Sequence, residues 1–180
     1  MNHFRVFLSS PADVAHERAL ARQILQNLTN QPFIRSRASL QVVAWDSPGG
    51  ETPMLANLTP QEAIDQQLPL PSDCDIAVFI LWSRIGTLLS ARYTKADGNR
   101  YVSGTEWEFA NALKSSKTKV LLYRRTERVS TFLDDNDLDE KLSQKRKVEE
   151  FFNQLKGPQG EYTAGWVEYK TDVPSIKSTT

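Results

Sequence analysis

Cysteine is nearly absent. The 180 residues include one, Cys74, which excludes a disulfide framework. Histidine is almost as scarce, with only His3 and His16. These three residues show none of the spacings of a metal site, so no metal is expected. Long apolar runs are also missing. Nothing approaches the ~18 residues of a membrane span, and the segment from Met1 to Phe7 lacks the apolar core of a signal peptide. A cytoplasmic protein without membrane contact is expected. Charge of one sign is lacking too: Lys+Arg and Asp+Glu are both 22, so the net charge is zero. General nucleic-acid binding, which needs a basic excess to displace counterions, is not expected.

Several catalytic signatures are absent as well. There is no GxSxG for an elbow serine, no Walker loop and no dinucleotide fingerprint. The first polar turn has no glycine. A phosphorylated receiver domain needs acidic residues at the ends of its first and third strands. Here those ends read Leu8-Ser9 and Leu81-Trp82.

What is present fits one domain. Apolar residues make up 39% and aromatics 9%, enough for a core. Phe4 to Leu8 reads as a buried strand. Ser10 is placed to cap a helix, with Pro11 at its first position and Asp13 three residues past Ser10. Val14, Ala21, Ile24, Leu25 and Leu28 follow at helical spacing. Leu40 to Trp45 is a second strand, and residues 47–53 form a loop. Thr59-Pro60-Gln61-Glu62 opens a short helix that ends before Pro69. Cys74 to Leu81 is the most apolar run and suits a strand buried on both faces. A polar insert, Leu88 to Val102, leads to a helix beginning near Thr105, whose inward stripe is Phe109, Ala112 and Leu113. Trp107 points away from that stripe, toward the insert or another chain. Val120 to Tyr123 is a fourth strand. A charged loop follows, then a helix from Glu140 to Leu155 with Leu142, Val148, Phe151, Phe152 and Leu155 as its apolar positions. Trp166 to Tyr169 makes an edge strand. Residues 1–170 therefore read as one α/β domain. Residues 171–180, rich in Ser and Thr, read as a linker to a downstream module.

Strands alternating with helices call for a doubly wound parallel sheet with helices on both faces. Five strands fit the flavodoxin-like order 2-1-3-4-5. Ligands then bind outside the carboxyl ends of strands one and three. Ser9 and Ser10 flank that crevice from one side, and Trp82, Ser83 and Arg84 from the other. The helix after strand three brings Glu106 and Glu108 to the same rim. Serine hydroxyls can hold a phosphate or sugar, Arg84 can grip a phosphate, and Trp82 can stack a base. A carboxylate can stabilise or attack an oxocarbenium-like carbon. Together these describe a site for breaking an N-glycosidic bond. Each glutamate also completes a capping box, Ser103-x-x-Glu106 or Thr105-x-x-Glu108, and a helix uses one N-cap. Spacing leaves open which glutamate is the cap.

Three blocks carry a family resemblance. They are Val6-Phe7-Leu8-Ser9-Ser10-Pro11 with Asp13-Val14 and Glu17-Arg18, then Asp75 to Val78 leading to Leu81-Trp82-Ser83-Arg84-Ile85-Gly86-Thr87, then Ser103-Gly104-Thr105-Glu106 with Glu108-Phe109. In that order they resemble TIR-like domains at the N-terminus of NACHT-type signalling NTPases and repeat proteins. Within the wider TIR and nucleoside-deoxyribosyltransferase group, Gly104-Thr105, Glu108 and Ala112 are similar to the Gly-Thr-x-x-Glu-x-x-x-Ala pattern. The resemblance implies a flavodoxin-like fold, a catalytic glutamate at Glu108 rather than Glu106, and NAD or a related nucleotide as substrate with no cofactor. It also implies homotypic self-association and downstream NTPase or repeat domains, in a bacterial or innate-immune-type effector. The insert is placed to cover the crevice. The alternative is a non-catalytic interaction module that oligomerises through its helical faces.

Overall fold

A computed structural model describes residues 1–44, 68–161 and 163–171. The loop 47–53, the helix expected from Thr59 and the segment 172–180 lie outside the described residues.

The chain begins with β1 (Asn2–Ser9), a single 3-10 turn at Ala12–Val14, α1 (Ala15–Asn30) and the one-turn α2 (Pro32–Arg35). Next come β2 (Ala38–Val43), a 3-10 turn at Pro71–Asp73, β3 (Ile76–Leu81) and α3 (Gly104–Leu113). The described chain closes with β4 (Lys119–Arg125), α4 (Leu138–Gln154) and β5 (Val167–Tyr169). The five strands form one sheet in the order β2-β1-β3-β4-β5, and every pairing is parallel. The order expected from the sequence is therefore the order found.

The strand period of two sorts the side chains. Phe7, Ala77, Phe79, Leu81 and Leu122 face α3 and α4, where they meet Phe109, Ala112, Val148, Phe151 and Phe152. Leu8, Ile80 and Ala44 face the other way, toward Val14 of the 3-10 turn and Ala21 of α1. Aromatic rings link the first layer. Phe79 meets Phe109 edge-on at 5.3 Å, Phe109 meets Phe151 at 5.3 Å, and Phe152 lies 5.2 Å from Trp166.

Several local expectations need correction. Ser10 does not cap a helix, because the turn at Ala12 has Pro11 before it and no side-chain cap. The α helix proper starts only at Ala15. Ile24, Leu113 and Leu142, assigned to inward stripes, are 50%, 53% and 44% exposed. Each helix buries only the stripe that packs on the sheet, and these three positions fall outside it. β4 also runs two residues into the segment taken as a charged loop, through Arg124 and Arg125. Both arginines are held in the ladder by β5, where Arg124 pairs with Glu168 and Arg125 with Tyr169.

Candidate functional site

The carboxyl ends of β1 and β3 lie side by side, with Ser9 in register with Phe79. The pleat divides the two serines of the first turn. Ser9, two residues past Phe7, points to the α3 side, and Ser10 points to the α1 side.

Ser9 donates its hydroxyl to Glu108 Oε2 at 2.5 Å, and both residues are buried. The two are 99 positions apart in the chain. Glu108 reaches Ser9 because α3 crosses the sheet with Glu108 just before Phe109, the residue that anchors the helix on Phe79. Beside Glu108 is a small, mostly apolar recess between Phe7, Trp107 and the segment 68–71. Its free space is that of about one water molecule.

Glu106 has a different task. Ser103 is the N-cap of α3, and its hydroxyl accepts the Glu106 amide at 3.1 Å. Glu106 Oε2 in return accepts the amide of Val102, one residue before the N-cap, at 2.7 Å, so Glu106 is the glutamate that serves the cap, in a variant of the capping box. Glu106 Oε1 takes Lys95 Nζ at 2.7 Å. The insert is thereby tied to the first turn of α3. A bridge between Thr94 and Arg100 shapes it into a small hairpin, and Tyr93 packs edge-on against Trp107 at 5.3 Å. The contact expected between Trp107 and the insert is present.

The other expected site residues are engaged by neighbours. Arg18 donates to both the Ser10 hydroxyl, at 2.7 Å, and the Ser10 carbonyl, at 2.8 Å. Burial lowers the Arg18 pKa, with the Asp13 charge acting against that shift. Ser83 donates its amide and its hydroxyl to Asp13 Oδ2, each at 2.9 Å, and the Arg84 amide joins them at 3.0 Å. Trp82 donates its indole N–H to the Glu127 carbonyl at 3.0 Å. One face of its ring is covered by the Arg125 guanidinium, 4.0 Å from the centroid. Arg84 presents a half-buried guanidinium with no ion-pair partner among the described residues.

Sequence reasoning missed two residues that shape this rim. Asp13 staples the turn after β3 to the turn after β1. Gln144, 2% exposed on α4, accepts the Ile85 and Gly86 amides at 3.0 and 3.2 Å and donates to the Gly86 carbonyl at 3.0 Å. Gly86 adopts φ +110°, a conformation that favours glycine, and a Cβ there would come within 3.4 Å of Ser103. A lone glutamine on a charged helix carries no signal of that role. Asp13 is followed by helical periodicity, so it reads as a helix-start acid.

Arg125 extends the network away from the crevice. It donates to Glu17 at 2.8 Å and to Glu127 at 2.7 Å. Burial works against its charge, and the Glu127 hydrogen bond with the two carboxylate charges outweighs that, so its pKa rises.

Among the described residues no cluster of His, Cys, Asp and Glu could hold a metal. What the rim offers chemically is the buried Glu108 carboxylate, oriented by a hydroxyl and facing an apolar recess. A carboxylate so placed can stabilise a developing cation or attack it.

Fold and rim together define a five-stranded parallel α/β domain with a buried serine–glutamate pair at its switch point. The chain belongs to a family described as a domain of unknown function, DUF4062, which it matches over residues 5–171. No curated protein and no solved structure matches it. Among the described residues, no helix is long and apolar enough to cross a membrane.

Proposed function

We propose that this domain is a TIR-like effector that cleaves the N-glycosidic bond of NAD or a related nucleotide when copies assemble. The observation that carries the reading is the Ser9–Glu108 pair, buried at the carboxyl edge of β1 and β3. Ser9 fixes one carboxylate oxygen, and a buried, preoriented charge acts more strongly than one in water. In this reading Glu108 faces the anomeric carbon. As the C–N bond breaks, its electron pair leaves with the nicotinamide ring, which becomes neutral. The carboxylate stabilises the oxocarbenium ion or bonds to it, and water then completes ADP-ribose and releases a proton. Arg84 is the rim group left for a phosphate. Glu106 builds the site without touching the substrate. NAD is substrate here, not cofactor. The wider setting is a cytoplasmic signalling chain with downstream NTPase or repeat modules and self-association as the trigger.

A second reading is favoured by one observation. Ser10, Trp82, Ser83 and Glu106 are all engaged by neighbours, and the recess beside Glu108 holds about one water. That suits a non-catalytic interaction module. For the enzyme it means that a nucleotide enters only after the 68–71 segment or the insert moves.

The test is incubation of the protein, alone and forced to cluster, with NAD, following nicotinamide release. Release that falls at least ~100-fold in Glu108→Gln supports the enzyme. No release from NAD or other nucleotides in either state leaves the interaction module.

A further inference from the structure

The chain is neutral overall, yet its charges are segregated. Between residues 18 and 45 there are four arginines and no acid, and of these Arg18 is buried against Ser10. Between residues 129 and 140 there are five acids and no base. Each segment also exposes large apolar side chains.

The acidic segment is the loop between β4 and α4. Phe132 and Leu133 are 77% and 91% exposed there. They are held in place rather than loose. Asp135 Oδ2 accepts the Thr131 hydroxyl at 2.7 Å, the Phe132 amide at 3.3 Å and Lys141 Nζ at 2.7 Å. The turn thus presents two adjacent apolar side chains outward. Lys141 neutralises part of the surrounding charge, at Asp135 and Asp137, and leaves Asp134 and Asp139 exposed.

The basic segment is the outer surface of α1 and α2. Leu20, Ile24 and Phe33 are 49%, 50% and 64% exposed. Arg35 and Arg37 are exposed in and just after α2, and the Arg37 guanidinium lies 4.2 Å from the Phe33 ring centroid.

We infer that copies of this chain join head to tail, the acidic Phe132–Leu133 turn of one seated on the basic α1–α2 surface of the next. The inference rests on the self-association part of the reading above and gives it surfaces. Buried apolar side chains supply the attraction, and opposite charges fix the partner and the orientation. A second copy is the occupant that the charges favour, because each patch finds its complement on the same neutral chain. The two patches also lie at opposite corners. α2 leads into the amino end of edge strand β2, and the loop leaves the carboxyl end of β4 beside edge strand β5. One molecule cannot join them, and a two-fold contact would need both patches on one face. The contact is therefore heterologous and grows as an open chain unless its rotation closes a ring.

Sedimentation velocity on the full chain tests this across concentration and salt. The wild type is expected to grow past a dimer with concentration and to shrink with added salt. Two variants each remove one patch: Phe132→Ser with Asp134→Arg, and Phe33→Ser with Arg35→Asp. All four positions are exposed, and circular dichroism checks that each variant folds. Each alone is expected to be monomeric. Mixed in equal amounts they retain one intact patch pair, so they form one capped dimer and nothing larger. A monomeric wild type, a variant that still grows, or a mixture that stays monomeric overturns the inference. So does a basic surface that binds anionic vesicles while the protein remains monomeric. NAD cleavage by a monomeric wild type would remove this inference and leave the N-glycosidase standing. Capped dimers with intact NAD would do the reverse.

Discussion

Glu106 and Glu108 are two positions apart, and the sequence offers each a cap partner three residues upstream. In the folded chain they divide the work. Glu106 spends both oxygens on Lys95 and the Val102 amide, and Glu108 turns to Ser9. Glu106→Ala should therefore cost about 1–2 kcal/mol in urea unfolding, the usual worth of a cap. Its effect on nicotinamide release should follow the lost stability. Glu108→Gln should show the opposite balance, with a stability change under ~1 kcal/mol and activity gone. Ser9→Ala is expected to lower both stability and activity, costing about 1–3 kcal/mol because a buried acceptor loses this donor. The choice between the glutamates was not legible from spacing. It depends on which side of β1 carries Ser9, and on a partner far away in sequence. Asp13 was opaque for the same reason: its amide partners at Ser83 and Arg84 belong to another turn.

The elements themselves were legible, because an apolar run or a helical period is local. β3 shows this best, with Ala77, Phe79 and Leu81 fully buried within one unbroken apolar stretch. The depth of burial was less legible. Ile24, Leu113 and Leu142 keep the helical period and stay exposed, since period assigns a face and not what covers it. Packing between elements yields two expectations. Phe109 bridges β3 and α4 through two edge-on ring contacts, so Phe109→Ala should cost ~3–5 kcal/mol. Gln144 holds the turn after β3 to α4, so Gln144→Leu keeps the volume but strands the Ile85 and Gly86 amides. A loss of about 2–4 kcal/mol in chemical unfolding is expected, with the rim of the crevice loosened. Hydrogen exchange at Ile85 and Gly86 would show that loosening directly.

At the scale of the whole molecule, the strand order followed from the alternation of strands and helices and from the handedness of crossovers. The closing ties did not. Glu127 accepts the amide and hydroxyl of Thr171 and the Arg125 guanidinium, joining the end of β4 to the chain just past β5. Burial works against its charge, but the Thr171 and Arg125 hydrogen bonds prevail and hold its pKa at about 2, below the usual 4.5. A carboxyl lowered in the folded state adds stability above pH ~4.5 that is lost as pH falls through about 2. The Thr171 amide resonance should therefore keep its hydrogen-bonded shift down to about that pH, and lose it at neutral pH in Glu127→Ala. The Ser9–Glu108 bond has a consequence in time. It closes a loop of 99 residues across a parallel sheet, an arrangement that is slow to form because its chain entropy is lost before its contacts are made. During synthesis β1 leaves the ribosome long before its partner glutamate exists. The rim is completed only after β3 and α3 have emerged, so until then the nascent domain carries Ser9 without the site.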